Sequence, residues 1–445
     1  MSTKVILTLV LLLLAPLYAH AQTAWSLERC IEHACSHSIS VRQRRIDVSR
    51  REAELLQDKL GFIPGINADI GHNLSWGRSV DLQNLEIIHN RLSQSTSMSI
   101  TASAYVLDGL SKLYALRGSR ISLDISRLEV EREKDIISLS VTKSYLQVML
   151  SHEVLEAARE SAHSTSVQRD RIRLLVESGA RPYSDLLDME SQLASEEVTA
   201  VEAENRFKAD LLNLRQLMSL DGSEDFLIEI PDIEHIVGEY APENADEVFA
   251  AAQAMPVIRS AVLAVDKGEM ELRSAKGQLF PKISVSAGYG TFYSSPSASP
   301  GSGTAPFFRQ IHDNINPSLS IGLSIPIFNS WSAVSGIREA ELNRRSLELQ
   351  LESTRQSLYK DIQNAVLEAA SCFRKMQAAR IHLSSKEESM RYVEEKYGAG
   401  VLNSTDYAVA KTDLFKARSE YLRAKYQFVF QARIVDFYKG IPFSL

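Results

Sequence analysis

Residues 119–178 and 337–397 contain neither glycine nor proline, and runs of that length leave little alternative to continuous helix. At 1.5 Å of rise per residue, each would reach roughly 90 Å, far more than a globular domain requires. Such helices must be rods. Their apolar residues say how the rods pack: Leu358, Ile362, Ala365, Ala369, Phe373 and Met376 recur at three- and four-residue intervals, as do Leu414, Ala417, Tyr421, Ala424 and Phe428. Leu193, Ala200, Ala203 and Phe207 occupy matching positions earlier in the chain. Alanine-rich seams let helix axes approach closely, while the Glu, Arg, Ser and Gln between them stay solvated.

The two stretches belong to a tandem repeat. Val41-Arg42 corresponds to Ile258-Arg259, and Phe62-Ile63-Pro64 to Leu279-Phe280-Pro281, at a spacing of 217 residues (258 minus 41). Further on, Ser103 to Gly109 correspond to Ser324 to Ser330, and Gly179 to Gly400, at a spacing of 221 (400 minus 179). The insertion of four residues therefore falls between Pro64 and Ser103 in repeat position, in one connecting loop, where a length change costs little. Each copy reads as helix, strand, loop, strand, very long helix, turn, long helix. The copies occupy residues 22–218 and 246–437, with a connecting segment at 219–245 and a tail at 438–445.

In four segments, at about 66–76, 97–107, 283–291 and 318–328, the periodicity changes from helical to two. Ile283, Val285, Ala287 and Tyr289 alternate with Ser284, Ser286, Gly288 and Gly290; Leu319, Ile321, Leu323 and Ile325 alternate with Ser320, Gly322 and Ser324. Ile66, Ala68 and Ile70, then Met98, Ile100, Ala102, Ala104 and Val106, repeat the pattern more weakly in the first copy. A soluble sheet with one buried face would alternate in the same way. The strand lengths, close to the nine to eleven residues of a tilted membrane strand, and the long polar loops at 77–94 and 293–316 favour a membrane sheet. Ile283, Val285, Tyr289, Leu319, Ile321 and Leu323 are then expected to face lipid. Four strands cannot close a barrel, and an open edge in lipid would leave backbone groups unpaired. Three copies sharing one barrel would supply 12 strands (3 × 4).

The first residues agree with an exported chain. Lys4 precedes the apolar run Val5 to Leu14, and the small-x-small site Ala19-His20-Ala21 follows, so residues 1–21 read as a secretory signal. No Cys stands at the cleavage site to accept a lipid. No later stretch approaches the roughly 20 apolar residues of a spanning helix. A net charge of −7 offers nucleic acid little attraction. Cys30, Cys35 and Cys372 are an odd count rather than a disulfide framework, and the first two, five residues apart, lie on different helical faces.

Trp25-Ser26-Leu27-Glu28-Arg29-Cys30-Ile31 at the start of the first helix, the paired turns Gly179-Ala180-Arg181-Pro182-Tyr183-Ser184-Asp185-Leu186 and Gly400-Val401-Leu402-Asn403-Ser404-Thr405-Asp406-Tyr407, and the strand end Ile325-Pro326-Ile327-Phe328-Asn329 together resemble the TolC-type outer-membrane efflux proteins. The resemblance covers nearly the whole mature chain. It implies a mainly α fold with β: long coiled-coil helices forming a periplasmic tunnel, plus four strands per subunit in a shared trimeric barrel. It further implies a homotrimer in outer-membrane lipid whose tip docks onto a periplasmic adaptor and an inner-membrane transporter, with no enzymatic activity and no cofactor. Residues 219–245 and the tail would form a belt around the tunnel's middle. Where the family writes Ile-Pro, the first copy has Ala104-Tyr105, which predicts a less sharply bent join between strand and helix.

The family narrows its tunnel with acidic residues just after the turns, a position held here by Asp185 and Asp406, with Asp188 one turn beyond Asp185. Carboxylates ringing a narrow axis would favour cations, and Arg181 would pair with one of them and hold the tip shut. The same acids are also what a helix dipole prefers in its first turn. Gly179 and Gly400 read as turn formers, and with Ser184 and Thr405 they mark the expected docking surface for the adaptor. Cys30, His33 and His37 share a helical face at metal-ligand spacing, but they fall where the family has an ordinary helix, and no metal is expected. No nucleophile with its base, phosphate-cradling glycine loop or metalloprotease helix is present. The rival readings are a secreted or periplasmic coiled-coil scaffold with the alternating segments folded as a soluble sheet, which would leave the membrane-suited strand pair in both copies unexplained, and a substrate-specific porin, which would leave the rods unexplained.

Overall fold

The computed structural model describes residues 24–80, 87–220, 226–238, 240–295 and 305–444. The expected signal at 1–21 lies outside them, as do Pro296, Pro300, Gly301 and Gly303 of the second strand-connecting loop and parts of the 219–245 segment. In chain order the elements are α1 (Leu27–His37), α2 (Ile39–Leu60), β1 (Gly65–Val80), β2 (Ile87–Asp108), α3 (Ser111–Glu177), α4 (Tyr183–Leu217), α5 (Glu234–Gly238), α6 (Ala245–Ala252), α7 (Pro256–Gly277), β3 (Lys282–Ser295), α8 (Phe307–Asp313), β4 (Asn316–Ser324), α9 (Ser332–Gly398) and α10 (Ser404–Tyr438).

The repeat is visible in lengths. Helices α2 and α7 have 22 residues each, α3 and α9 have 67, and α4 and α10 have 35. A 67-residue helix spans roughly 100 Å. The backbone repeats too, at its least common conformation. Left-handed φ occurs at Gly109 and Ser330, Leu110 and Trp331, Gly179 and Gly400, and Ser219 and Gly440, each pair 221 residues apart (330 minus 109; 440 minus 219). Gly109 has a second reason to be glycine, since a Cβ there would lie 2.0 Å from the Gly277 carbonyl oxygen.

Residues 1–44, 130–256 and 355–445 form one compact unit. Its main core gathers Leu27, Cys30 and Ala34 of α1, Val141, Tyr145 and Met149 of α3, Leu214 of α4, and Phe428 and Val429 of α10. The Tyr145 hydroxyl, buried with them, donates to the Glu229 carbonyl at 2.5 Å and reaches that of Trp25 at 3.0 Å. A parallel bridge between Trp25 and Ile228 ties the start of the described chain to the inter-repeat segment. The seam residues Ile362, Ala369 and Met376 of α9 and Ala417 and Phe428 of α10 are buried. Phe443, in the tail, stacks on Phe437 at 5.4 Å.

Residues 45–129 and 257–354 form the second unit, built on a four-stranded antiparallel sheet in the order β1-β2-β3-β4. Because opposed residues share a face, the register assembles the apolar residues on one side. Ile66, Ala102, Ala287 and Leu319 lie in one row, and Ala104, Val285 and Ile321 in the next. The other side carries Asn67, Thr101, Gly288 and Ser318, then Ser103, Ser286 and Ser320. The apolar side is not covered: Ile66, Leu319 and Ile321 are each 72% exposed. Strands β1 and β4 are the two sheet edges.

Three boundaries correct the sequence reading. The loop expected at 77–94 is mostly ladder, paired as far as Val80 with Ile87 through an irregularity at Gly77/Ser79. Backbone pairing needs no alternation of side chains, so period two could not reveal this extension. Strand β4 ends at Ser324 rather than 328, because Pro326 has no N–H for a ladder and β3 begins opposite Ser324. Conversely β2, with Ala104-Tyr105 in place of Ile-Pro, runs on to Asp108 past a bulge between Tyr105 and Leu107. Both joins turn on two successive left-handed residues, and both are capped alike: Asp108 accepts from the Lys112 N–H at 3.0 Å and Asn329 from the Ala333 N–H at 3.4 Å.

Helix α8 was also missed within its loop. It occupies the edge of β3 beyond Gly290, where pairing with β4 stops. There Gln310 accepts from the Ser294 N–H at 3.1 Å, Thr291 donates to the Ile311 carbonyl at 2.5 Å, and Asn314 donates to the Phe292 carbonyl at 2.7 Å. The side chains of Gln310 and Asn314 thus serve β3 backbone groups beyond the last pair with β4.

Candidate functional site: the paired helix turns

Helices α3 and α9 end in the same way. Gly179 and Gly400 adopt φ of +74° and +75°. The Ala180 N–H bonds the Leu175 carbonyl at 2.8 Å and the Gly179 N–H that of Val176 at 3.0 Å; Val401 to Lys396 (3.0 Å) and Gly400 to Tyr397 (3.1 Å) repeat the pattern. This double bond satisfies carbonyls that a helix end leaves open, and it needs a left-handed residue at the glycine.

The side chains around the two turns interlock. Arg181, just after the first glycine, has a side chain only 12% exposed. Its guanidinium pairs with Asp185 at 3.1 Å, donates to the Tyr397 carbonyl at the end of α9 at 2.5 Å, and lies 4.6 Å from the centre of the Tyr397 ring. A cation at a helix C-terminus is also favoured by the dipole. Tyr397 stacks on Tyr407 of α10 at 4.6 Å, and the Ser404 hydroxyl donates to Asp188 of α4. Beneath lies an apolar cluster of Ile172, Leu186, Met189, Met390, Tyr397 and Tyr407, in which complete burial of each large side chain contributes about 1.5–3 kcal/mol. Burial pushes the Tyr407 hydroxyl well above the usual phenol range.

Arg181 and Asp188 therefore bond to the second hairpin, and Asp185 bonds Arg181 within the first. Asp406 is exposed in the first turn of α10, where its N–H bonds the capping side chain of Asn403 at 2.7 Å. Ser184 and Thr405 are also exposed. Sequence reasoning passed over Tyr397, Ser404 and Tyr407, which contribute half of the interlock. Their signal was weak, since a tyrosine in a helical seam reads as ordinary packing.

Of the residues expected to face lipid, Tyr289, Leu319, Ile321 and Leu323 are exposed and Ile283 and Val285 half-buried, all on the apolar side of the sheet. Cys30 lies in the main core, where burial pushes its thiol up to about 12 and keeps it protonated, a poor state for holding a metal. His33 stacks on His37 at 4.0 Å and meets Trp25 edge-on at 5.3 Å.

A family model described as outer membrane efflux protein matches residues 30–219 and 250–433, one segment for each copy of the repeat. Outer membrane protein OprJ of Pseudomonas aeruginosa is 22% identical over 93% of this chain and 83% of its own length. Outer membrane protein TolC of Escherichia coli is 22% identical over 76% of this chain and 68% of its own. The solved structure of the outer membrane protein VceC from Vibrio cholerae shares the fold with a TM-score of 0.74 at 13% identity, covering 94% of this chain and 96% of that one.

Proposed function

This chain belongs to the outer membrane efflux protein family, and from that premise we propose that it is the outer-membrane channel component of a tripartite efflux or type I secretion system. Its place is the outer membrane of a Gram-negative bacterium. It would act as a passive exit duct, as a homotrimer, with a periplasmic adaptor and an inner-membrane transporter as partners and with no catalytic step of its own.

The observation that carries the reading is the two-faced sheet with free edges. An exposed apolar face suits lipid, a face of Ser, Thr, Asn and Gly suits a wet bore, and unpaired edges at β1 and β4 cannot remain open in hydrocarbon. Pairing β4 of one copy with β1 of the next removes every edge and closes the ring. The purified mature protein in detergent should have the mass of three copies, resist carbonate extraction from outer membranes and form ion-conducting pores in planar bilayers. A water-soluble monomer without affinity for bilayers would end the proposal.

The interlocked turns are the proposed periplasmic aperture. Arg181, paired with Asp185, holds the first hairpin to the second, Asp188 holds Ser404, and the exposed Asp406 would present a carboxylate to the bore. The outward Ser184 and Thr405 remain the candidate adaptor contacts. Arg181→Ala and Asp406→Ala should each raise single-channel conductance; unchanged conductance in both would remove the gating role while leaving the duct.

A further inference from the structure

A charged side chain stands early in the α10 seam, where Ala and Leu are the rule. Lys411 follows Tyr407 by four residues and precedes Leu414 by three on α10, and its side chain is only 8% exposed. Its ammonium donates to the Ser161 carbonyl at 2.8 Å and to the Thr165 hydroxyl, both on α3. Glu196 of α4, itself 12% exposed, lies 3.5 Å from it. That carboxylate is held in turn by the Thr165 hydroxyl at 2.6 Å and the Gln192 amide at 2.8 Å. Three helices from both hairpins thus meet at one buried cation.

Apolar packing is incomplete here, for a cavity of ≈ 80 Å³ lined by Ala158, Ser161, Gln192, Ser195, Thr199 and Phe415 remains beside the pair. Directional bonds to a desolvated charge fix the alignment of the helices. Sliding α10 by one helical turn, about 5.4 Å, would take the ammonium out of reach of Ser161 and Thr165 and strand two charges in the seam. The contact is not a legacy of the repeat either. At the 221-residue spacing, Lys411 corresponds to Glu190, Glu196 to Ala417 and Thr165 to Lys386, so none of the three is duplicated.

We propose that Lys411 is the positioning residue that sets the register of the second hairpin against the first, and through it the closed bore of the aperture. The inference rests on the duct reading. It adds a buried point of attachment distinct from the Arg181 interlock, about 10 Å along α10 from its first residue. With the pair in place, loosening at the turns stays local; without it, the hairpins slide.

The test uses the full mature protein in nanodiscs and planar bilayers. Lys411→Met leaves Glu196 buried and alone, so the double variant Lys411→Met with Glu196→Leu is the decisive one: it removes both charges and should recover heat stability. If the pair only stabilises, tip behaviour recovers with it. If it positions, amide exchange at residues 178–181 and 399–403 runs about tenfold faster than in the wild type, and single-channel conductance at least doubles. Unchanged exchange at the turns overturns the proposal, as does unchanged conductance in a variant whose wild type conducts. Faster exchange in a protein of which no form conducts keeps the register and removes the duct. Should Lys411→Met variants fail to assemble, Glu196→Gln, which keeps the volume, carries the same readings.

Discussion

The two turns share a backbone and differ in chemistry. After Gly179 come Arg181, Pro182 and Tyr183; after Gly400 the same positions hold Leu402, Asn403 and Ser404. The paired hydrogen bonds at Gly179 and Ala180 that end α3 recur at Gly400 and Val401 at the end of α9, yet the first turn supplies the cation and the second supplies the carbonyl and ring that receive it. Even the helix starts diverge, since Pro182 makes no side-chain cap while Asn403 does. At these turns the two copies complement each other because they have diverged: one carries the cation and the other the groups that receive it. Asp185 and Asp406 make the point: they are equivalent acids, one locked in an ion pair and the other exposed.

The largest effect should come from abolishing that difference. Arg181→Leu gives the first turn the residue of the second; losing a half-buried cation with two charge-assisted hydrogen bonds should lower stability by about 2–3 kcal/mol, read by guanidinium unfolding. A loss below about 0.5 kcal/mol would mean the interlock holds nothing. Next come the glycines, where the copies should agree. Gly179→Ala and Gly400→Ala each place a Cβ on a left-handed residue, and each should cost about 1–2 kcal/mol. Unequal costs would show that the two turns are not one backbone under the same strain.

The smallest effect lies further along the repeat, where Asp135 of α3 corresponds to Gln356 of α9. Burial, then the nearby Glu131, pushes the Asp135 carboxyl up to about 6. A carboxyl raised above its unfolded value stabilises the fold below about pH 4 and loses that contribution as pH climbs through 6. Asp135→Gln should therefore be more stable than the wild type above pH 6, by about 1 kcal/mol after allowing for the group's partial exposure. The gap should close as pH falls toward 4, and a gap that persists there would assign the effect to something other than titration.

Much of this architecture was legible because its signals are local or periodic. Glycine-free runs demanded long helices, and a constant spacing exposed the repeat. Period two found the four strands, and a glycine six residues before an acid located each turn. What escaped was whatever depends on backbone pairing without side-chain alternation, such as the extension of β1 and β2 beyond Gly77, or on a partner distant in sequence, such as Tyr397 for Arg181. Lys411 sits between the two cases. A charge at a seam position is visible in the sequence, but its partners Thr165 and Glu196 lie 246 and 215 residues away (411 minus 165; 411 minus 196).

The sequence by itself determined the element types, their lengths to within a few residues, their duplication and the sidedness of the sheet, because each follows from steric rules and hydrophobic period acting over a few neighbours. Only the tertiary structure decided that Arg181 is taken by the end of α9, that Asp406 is left outside the interlock, and that a lysine is buried between the hairpins. Those outcomes depend on which helix faces meet and in what register, and a repeating apolar seam permits several registers. Directional bonds to individual charges choose among them.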